Sequence, residues 1–363
     1  MKNEVFENLS RAAQEQYLIQ EEILKGRYGE PGSPFMTTRA LAEQRQVSVV
    51  TAHNILVGLC AEGYVQLQGK KYYLSHAKLA EDRSRQSRII GMLVPHLNNE
   101  FFSSLTDAVV DSLRQKGYET LVVSTTYEPE AERKVLQLFQ NLSVAGIVSC
   151  VPTPEENRSL YRSFPVPCVF LGHALDNSKR SSVQVNSFAV SQKVARHLME
   201  EGYRQFLYIG SRNRSLENDI RFTGFQMQLK QNGFELNPSD TLQVSNESRA
   251  DDGLLMELLE RQTQSVGIFC YHDLIAAQLY RVCKTLGKRI PQDVGIVGFD
   301  DLSVATTLTP PLTTVQYRIG SMADMTVKLL LDSIRSPDTP YDNYYVEPNL
   351  VIRQSTGLSG AQL

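Results

Sequence analysis

Several short runs in this chain set polar and aromatic side chains where they could do chemistry. Ser48 stands where a helix N-cap belongs, ahead of a run in which Ala52, Ile55, Leu56 and Leu59 recur at i, i+3, i+4 and i+7. That spacing turns Val49, Thr51, His53 and Asn54 outward, and a capped helix start with free side chains can enter a DNA major groove. Gly69-Lys70-Lys71 interrupts two strand-like stretches and would carry two ammonium groups at a hairpin tip, suited to phosphate. Further on, Phe101-Phe102 follows the apolar strand Ile89–Val94, and Asp300-Asp301 follows the strand Val294–Gly298. An aromatic face beside paired donors and acceptors is what a cleft needs to hold a polyol. Asp300-Asp301 is also a carboxylate pair, but adjacent residues at a strand end point apart. With no Gly-x-Gly-x-x-Gly, Walker loop or Gly-x-Ser-x-Gly elbow beside it, no enzyme is expected.

The elements that must position these residues change character near Arg83–Arg88. Before that point the pattern predicts helices over Ala13–Gly26, with an apolar stripe of Tyr17, Ile19, Ile23 and Leu24, over Arg39–Gln44 behind a Thr37 cap, and over Val49–Glu62. A hairpin of Val65–Gln68 and Tyr72–Leu74 follows. Three helices and a two-stranded wing make a winged helix over residues 1–76. The polar stretch 77–87 reads as a linker. From residue 88 onward short apolar strands alternate with amphipathic helices, and the alternation restarts after Ser182–Val185. Alternation of this length implies parallel sheets covered on both faces, and the restart implies two lobes with ligands bound beyond the strands' carboxyl ends. The lobes are expected at roughly 88–186 plus 317–338, and 187–316 plus 339–358.

Bulk properties fit such a chain. Its 363 residues allow a small domain and a large one, and 42% hydrophobic with 21% charged residues excludes disordered and fibrous classes. The formal net charge of −3 divides unevenly: residues 1–85 hold 11 Lys+Arg against 10 Asp+Glu, and the remainder 26 against 30. The sign is right for a DNA reader at the N-terminal end. Cys60, Cys150, Cys168, Cys270 and Cys283 show no Cys-x-x-Cys spacing and mostly sit in apolar runs, so they are expected as core side chains, without disulfides or zinc. No cofactor or metal is expected. No secretory signal or membrane-length apolar run is apparent, and a cytoplasmic protein is expected.

The N-terminal stretch resembles the GntR winged-helix family, whose usual run is Pro-Ser-Glu-Arg-Glu-Leu-Ala, then Val-Ser-Arg-Thr-Thr-Val, then Glu-Gly-Leu and a Gly-tipped wing. Met36–Ala42, Val47–Ala52, Glu62-Gly63-Tyr64 and Gln68-Gly69-Lys70 match in order and spacing. The resemblance implies that Arg39, Ser48, Val49, Val50, Thr51 and His53 face DNA, and that the wing tip Gln68, Gly69, Lys70 and Lys71 reaches the neighbouring minor groove or backbone. Arg39 is the candidate for a bidentate guanine contact, and the lysines for phosphate anchors. The family often has Arg where Val49 and His53 stand, so fewer guanines and more methyl or shape features should be read here.

Residues 88–357 resemble the effector-binding domain of the LacI/GalR family. The match rests on the opening strand, Asn99-Glu100-Phe101-Phe102, Gly202-Tyr203-Arg204, Arg221-Phe222-Thr223-Gly224-Phe225, Ile290-Pro291-Gln292-Asp293-Val294, Gly298-Phe299-Asp300-Asp301 and Pro311-Leu312-Thr313-Thr314-Val315. It implies a ligand-stacking aromatic at Phe101 or Phe102, a ligand arginine at Arg221 and a ligand aspartate at Asp300. Ser215, Glu217, His272 and Tyr317 fall at further cleft positions, and Asp273 is expected to cap the helix after it. Gly172-His173 and Ser248 depart from the family's pattern, and the 77–86 segment does not resemble its minor-groove hinge helix. Coupling would then run through domain placement in a homodimer.

Together these readings imply a transcription regulator, repressing more readily than activating, with operator DNA and a small sugar-like effector as partners. An exported sugar-binding protein, or a constitutive DNA-binding protein with a degenerate cleft, are the alternatives.

Overall fold

The computed structural model describes residues 10–24, 26–75, 87–151, 153–174, 180–212, 215–245, 249–336 and 340–357. The expected linker, apart from Ser87, and Ser248 lie outside them.

The N-terminal unit is built from α1 (Arg11–Leu24), α2 (Thr38–Arg45), α3 (Val49–Ala61), β1 (Val65–Gln68) and β2 (Lys71–Leu74). Thr37 caps α2 by accepting from the Ala40 amide at 3.3 Å, and Ser48 caps α3 by accepting from the Thr51 amide at 3.0 Å. Each cap satisfies a backbone donor that the helix cannot. Between the two helices Gln46 adopts a left-handed φ of 51°, which makes the tight reversal. Ile19, Ile23, Leu41, Ile55, Leu56 and Leu59 are fully buried and join the three helices to Val65 and Leu74 of the hairpin. Gly69, at φ +63° in the two-residue turn pairing Gln68 with Lys71, takes the backbone conformation such a turn requires. Tyr17 departs from the expected stripe: it is 45% exposed, one residue off the face that Ile19 and Ile23 bury.

From residue 89 the chain forms two six-stranded sheets. The first lobe contains β3 (Ile89–Val94), α4 (Glu100–Gln115), β4 (Glu119–Ser124), α5 (Pro129–Asn141), β5 (Gly146–Ser149), α6 (Arg158–Ser163), β6 (Cys168–Leu171) and β7 (Ser181–Val185). The second contains α7 (Ser187–Glu200), β8 (Gln205–Ser211), α8 (Ile220–Gln231), β9 (Thr241–Val244), α9 (Asp252–Glu260), β10 (Val266–Cys270), α10 (Asp273–Leu286), β11 (Val294–Phe299), α11 (Ser303–Thr307) and β12 (Thr313–Gln316). The chain returns to the first lobe with α12 (Ile319–Arg335) and β13 (Asn343–Val346), then ends in the second with β14 (Asn349–Val351). Strand orders are β13-β7-β6-β5-β3-β4 and β14-β12-β11-β10-β8-β9, parallel throughout except for β14 against β12.

The lobe boundaries need one correction. The chain crosses near residues 186 and 317 and again at 347–348, where the sequence places the last crossing at 338–339. Asn343–Val346 runs parallel to Ser182–Val185, so it belongs to the first lobe. As an edge strand with three exposed residues it lacks the apolar run that marks the inner strands. The strand–helix pattern in the sequence does not disclose α6, β9 or any of the elements after β11. Met322, Ala323, Val327 and Leu330 bury α12 in the first-lobe core. Four cysteines are buried and Cys60 is half-buried, all with free thiols. Among the described residues no helix is long and apolar enough to cross a membrane.

Behind the Asp300-Asp301 turn lies a tie between elements. Asp273 is fully buried; it accepts from the Thr314 hydroxyl at 2.6 Å and from the Leu302 amide at 2.7 Å. A Cβ on Gly298 would stand 2.1 Å from Asp273 Oδ1, so only glycine admits this carboxyl beside β11. Gly298→Ala is therefore expected to destabilise the chain by about 1–3 kcal/mol through overpacking. Thermal unfolding measures it, and an unchanged melting temperature would contradict the tie.

Candidate functional site

The ends of strands β3, β5, β6, β7, β10, β11 and β12 converge on a cavity of ≈ 340 Å³ between the lobes. Asp219 prepares its most charged corner. Its carboxylate caps α8, accepting from the Arg221 amide at 3.0 Å, and is anchored by the Tyr208 hydroxyl from β8. Arg221 follows two residues later and is carried into the cleft. Its Nη2 donates to the Tyr317 hydroxyl at 2.9 Å and lies 3.7 Å from Asp300 Oδ1, and its Nη1 donates to the Tyr271 carbonyl. The guanidinium plane is covered by rings, with Cζ 3.7 Å from the Phe299 centroid and 4.3 Å from that of Tyr271. Burial works against this charge, but Tyr317, Tyr271 and Asp300 around it hold Arg221 firmly protonated.

Asp300 and its neighbour do point apart. Asp300 turns inward to Arg221, whereas Asp301 accepts from Arg353 and from Gln316, each at 2.7 Å. The separation comes from two successive left-handed residues, with φ of 104° and 51°, a conformation costly outside glycine and best tolerated by Asp and Asn. Burial pushes the Asp300 carboxyl up to about 6, against the pull of Arg221.

Of the expected cleft residues, Phe101, Phe102, Arg221, His272, Asp300 and Tyr317 are brought together as lining. Phe101 stacks on Tyr317 at 4.4 Å and meets Phe102 edge-on at 5.2 Å, forming one aromatic wall. Ser215 and Glu217 are not part of it. Both are exposed on the turn after β8, where Ser215 Oγ accepts from the Asn218 amide group, and Asp219 and Ile220 line the cavity in their place. The capping assignment also changes: His272 Nδ1 accepts from the Ile275 amide at 3.2 Å and caps α10, while Asp273 points into the interior tie. Burial, reinforced by Arg221, lowers His272 to about 4.

The lining contains residues outside that set, among them Asn99, Tyr127, Asp219, Tyr271 and His173. His173 stands where the sequence departs from the family's pattern. Its Nε2 is buried without a hydrogen-bond partner, its ring meets Phe170 edge-on at 5.2 Å, and burial lowers it to about 4, so the first lobe offers a neutral imidazole to the cavity. An orphaned polar atom of this kind needs a partner.

At the N-terminal unit, Arg39, Val49, Val50, His53, Gln68, Gly69, Lys70 and Lys71 are all exposed; Val49 and Val50 are exposed by 56% and 70%. Thr51 is half-buried, and its hydroxyl pairs with Ser48 Oγ at 2.8 Å, so these two residues build the helix start. From Gln46 to Cys60 the sequence carries no acidic side chain that would repel phosphate.

Comparison with known proteins places the fold. Residues 195–356 match the family model of the periplasmic binding protein-like domain. Over 334 residues the chain is 28% identical to the ribose operon repressor of Halalkalibacterium halodurans, covering 88% of this chain and 97% of that protein. It is 24% identical over 271 residues to the HTH-type transcriptional repressor PurR of Mannheimia succiniciproducens, covering 74% and 81%. Among solved structures, a periplasmic binding protein/LacI transcriptional regulator from Alkaliphilus metalliredigens, complexed with D-xylulofuranose, matches with TM-score 0.64 at 25% identity over 74% of this chain and 99% of that one. The transcription regulator CcpA of Lactococcus lactis shares the fold, with TM-score 0.66 at 21% identity over 74% and 99%. Residues 195–356 thus match a periplasmic binding protein-like domain, and the two-lobed fold as a whole is similar to that of a solved LacI transcriptional regulator.

The cleft's charge state has a measurable signature. Asp300 is raised from 3.8 to about 6, so its contribution to stability is fully present below pH 3.8 and lost as pH rises through about 6. His173 and His272 act oppositely: lowered from 6.5 to about 4, they favour the fold above pH 6.5 and disfavour it as pH falls through about 4. Asp300→Asn keeps the left-handed turn and removes the carboxyl. Its stability relative to wild type should therefore improve by up to about 3 kcal/mol between pH 4 and pH 7. Parallel stability–pH curves from denaturant unfolding would contradict a half-buried, proton-binding Asp300.

Proposed function

We propose that the chain is a transcription regulator with a LacI-type effector-binding domain: a GntR-type winged helix at residues 1–76 binds operator DNA, and a small sugar-like effector in the cleft alters that binding. The pairing is similar to that of the bacterial arabinose repressor. The observation that carries the reading is the Arg221–Asp300–Tyr317 corner facing the Phe101–Phe102 wall inside a two-lobed receptor. A guanidinium and a carboxylate side by side can donate to and accept from neighbouring hydroxyls, while the rings cover the C–H faces of a sugar. The D-xylulofuranose held by the similar regulator from Alkaliphilus metalliredigens supports that ligand class. Repression is the favoured sign, because the similar proteins over most of this chain's length are operon repressors. The working unit is a homodimer without catalytic activity.

The DNA half of the proposal rests on the exposed, acid-free start of α3 and on the hairpin tip. Arg39 supplies the base contact, Val49, Val50 and His53 face the groove, and Lys70 and Lys71 anchor phosphate. An operator selected from a random DNA pool gives the test. Arg39→Ala should weaken that operator by about 1–3 kcal/mol and leave random DNA little changed. Lys70→Ala should weaken both alike and flatten the salt dependence by roughly one unit of slope. Identical profiles for the two variants on both DNAs would overturn the division of roles.

A further inference from the structure

The two lobes also meet at the rim of the cleft, away from the three crossings. Glu100 is the first residue of α4 in the first lobe, and Ser303 is the first residue of α11 in the second. Glu100 Oε1 accepts from the Ser303 amide at 2.7 Å, and Oε2 accepts from the Ser303 hydroxyl at 2.8 Å. One carboxylate thus satisfies both donors of one serine across the gap. Such charge-assisted bonds are short and directional, so the pair can form only when the lobes stand at one separation.

The neighbours of both residues belong to the effector site. Phe101 and Phe102, directly after Glu100, form the aromatic wall. Ser303 follows Leu302, whose amide is bound by the Asp273 tie, and lies three residues beyond Asp300. Fixing Glu100 to Ser303 therefore fixes the wall relative to the charged corner. Both partners are part of the chain, so the contact needs no effector to form.

We infer that Glu100 is a positioning residue, a clasp that holds the two lobes together and sets the spacing between the Phe101–Phe102 wall and Asp300. Effector must then pass while the clasp is open, and the clasp strength biases the population of open and closed receptor on which regulation acts. The inference depends on reading the cleft as the effector site only for that last consequence.

The test uses the full chain with no added sugar. Amide hydrogen exchange is followed at Ser303, with small-angle X-ray scattering on the same samples. Glu100→Ala should speed Ser303 exchange by roughly tenfold or more, leave amides in β8 and β10 unchanged, and shift the scattering toward more open lobes. Glu100→Gln, which keeps a single acceptor oxygen, should fall between Glu100→Ala and wild type. Ser303→Ala, which keeps the amide donor but loses the hydroxyl, should open the lobes partially. Unchanged Ser303 exchange in Glu100→Ala would overturn the clasp. Faster exchange with unchanged scattering would also overturn it, because the contact would then be local and position nothing. Either failure leaves the effector reading of the cleft standing, since no effector is involved.

Discussion

The structure depends on how one charge is kept inside the cleft. A guanidinium cannot be deprotonated to escape burial, so Arg221 must be surrounded by partners or the lobes cannot close around it. It has a carboxylate, a phenol, a carbonyl and two aromatic faces, drawn from β10, β11, β12 and the residues just after them. Removing one partner from such a cluster costs more than forming it gained, because the remaining charge is stranded. The same groups are those that can be lent to a ligand: a hydroxyl between Arg221 and Asp300 exchanges one set of hydrogen bonds for another without exposing a bare charge.

Preorganisation of that corner extends behind it. The left-handed pair Asp300-Asp301 is held from outside by Arg353 and Gln316, and from beneath by the Asp273 tie to Thr314 and Leu302. The Asp219–Tyr208 hydrogen bond does the same for the helix carrying Arg221. Because the second lobe fixes its charged groups so fully, adjustment to a ligand falls to the distance between lobes and to the first lobe's wall and His173. Under the proposed function, lobe separation is the variable that would transmit occupancy to the DNA-binding unit, since effector and DNA are coupled only through states they both discriminate.

Much of this was legible in the sequence for identifiable reasons. Inner strands such as Ile89–Val94 and Val266–Cys270 are buried on both faces and read as continuous apolar runs, and the caps at Thr37 and Ser48 are local hydrogen-bond chemistry that side-chain type discloses. Arg221 and Asp300 stand in ordered motifs at a helix start and a strand end, and Tyr317 follows the Pro311–Val315 motif by two residues; all three line the cavity. The failures are equally physical. Ser215 and Glu217 lie on a turn whose side-chain directions depend on tertiary contacts, and Asp273 looked like a cap because Asp commonly is one, while His272 holds that role. The edge strand Asn343–Val346 carries no periodic signal, so its lobe could not be read. His173 appeared as a departure from pattern, and only its buried, unpaired Nε2 marks it as part of the cavity.

The central claim is that a ligand gripped at Arg221 governs DNA binding. Fluorescence anisotropy of the selected operator, titrated with wild type and Arg221→Ala in a panel of monosaccharides, disaccharides and sugar phosphates, tests it directly. At least one sugar should shift the operator affinity of wild type by 1–3 kcal/mol, as allosteric couplings commonly do. Arg221→Ala should bind operator with wild-type affinity in the absence of sugar and show no shift with it. A full effector shift in Arg221→Ala, or operator affinity in wild type indifferent to every sugar in the panel, would contradict the account.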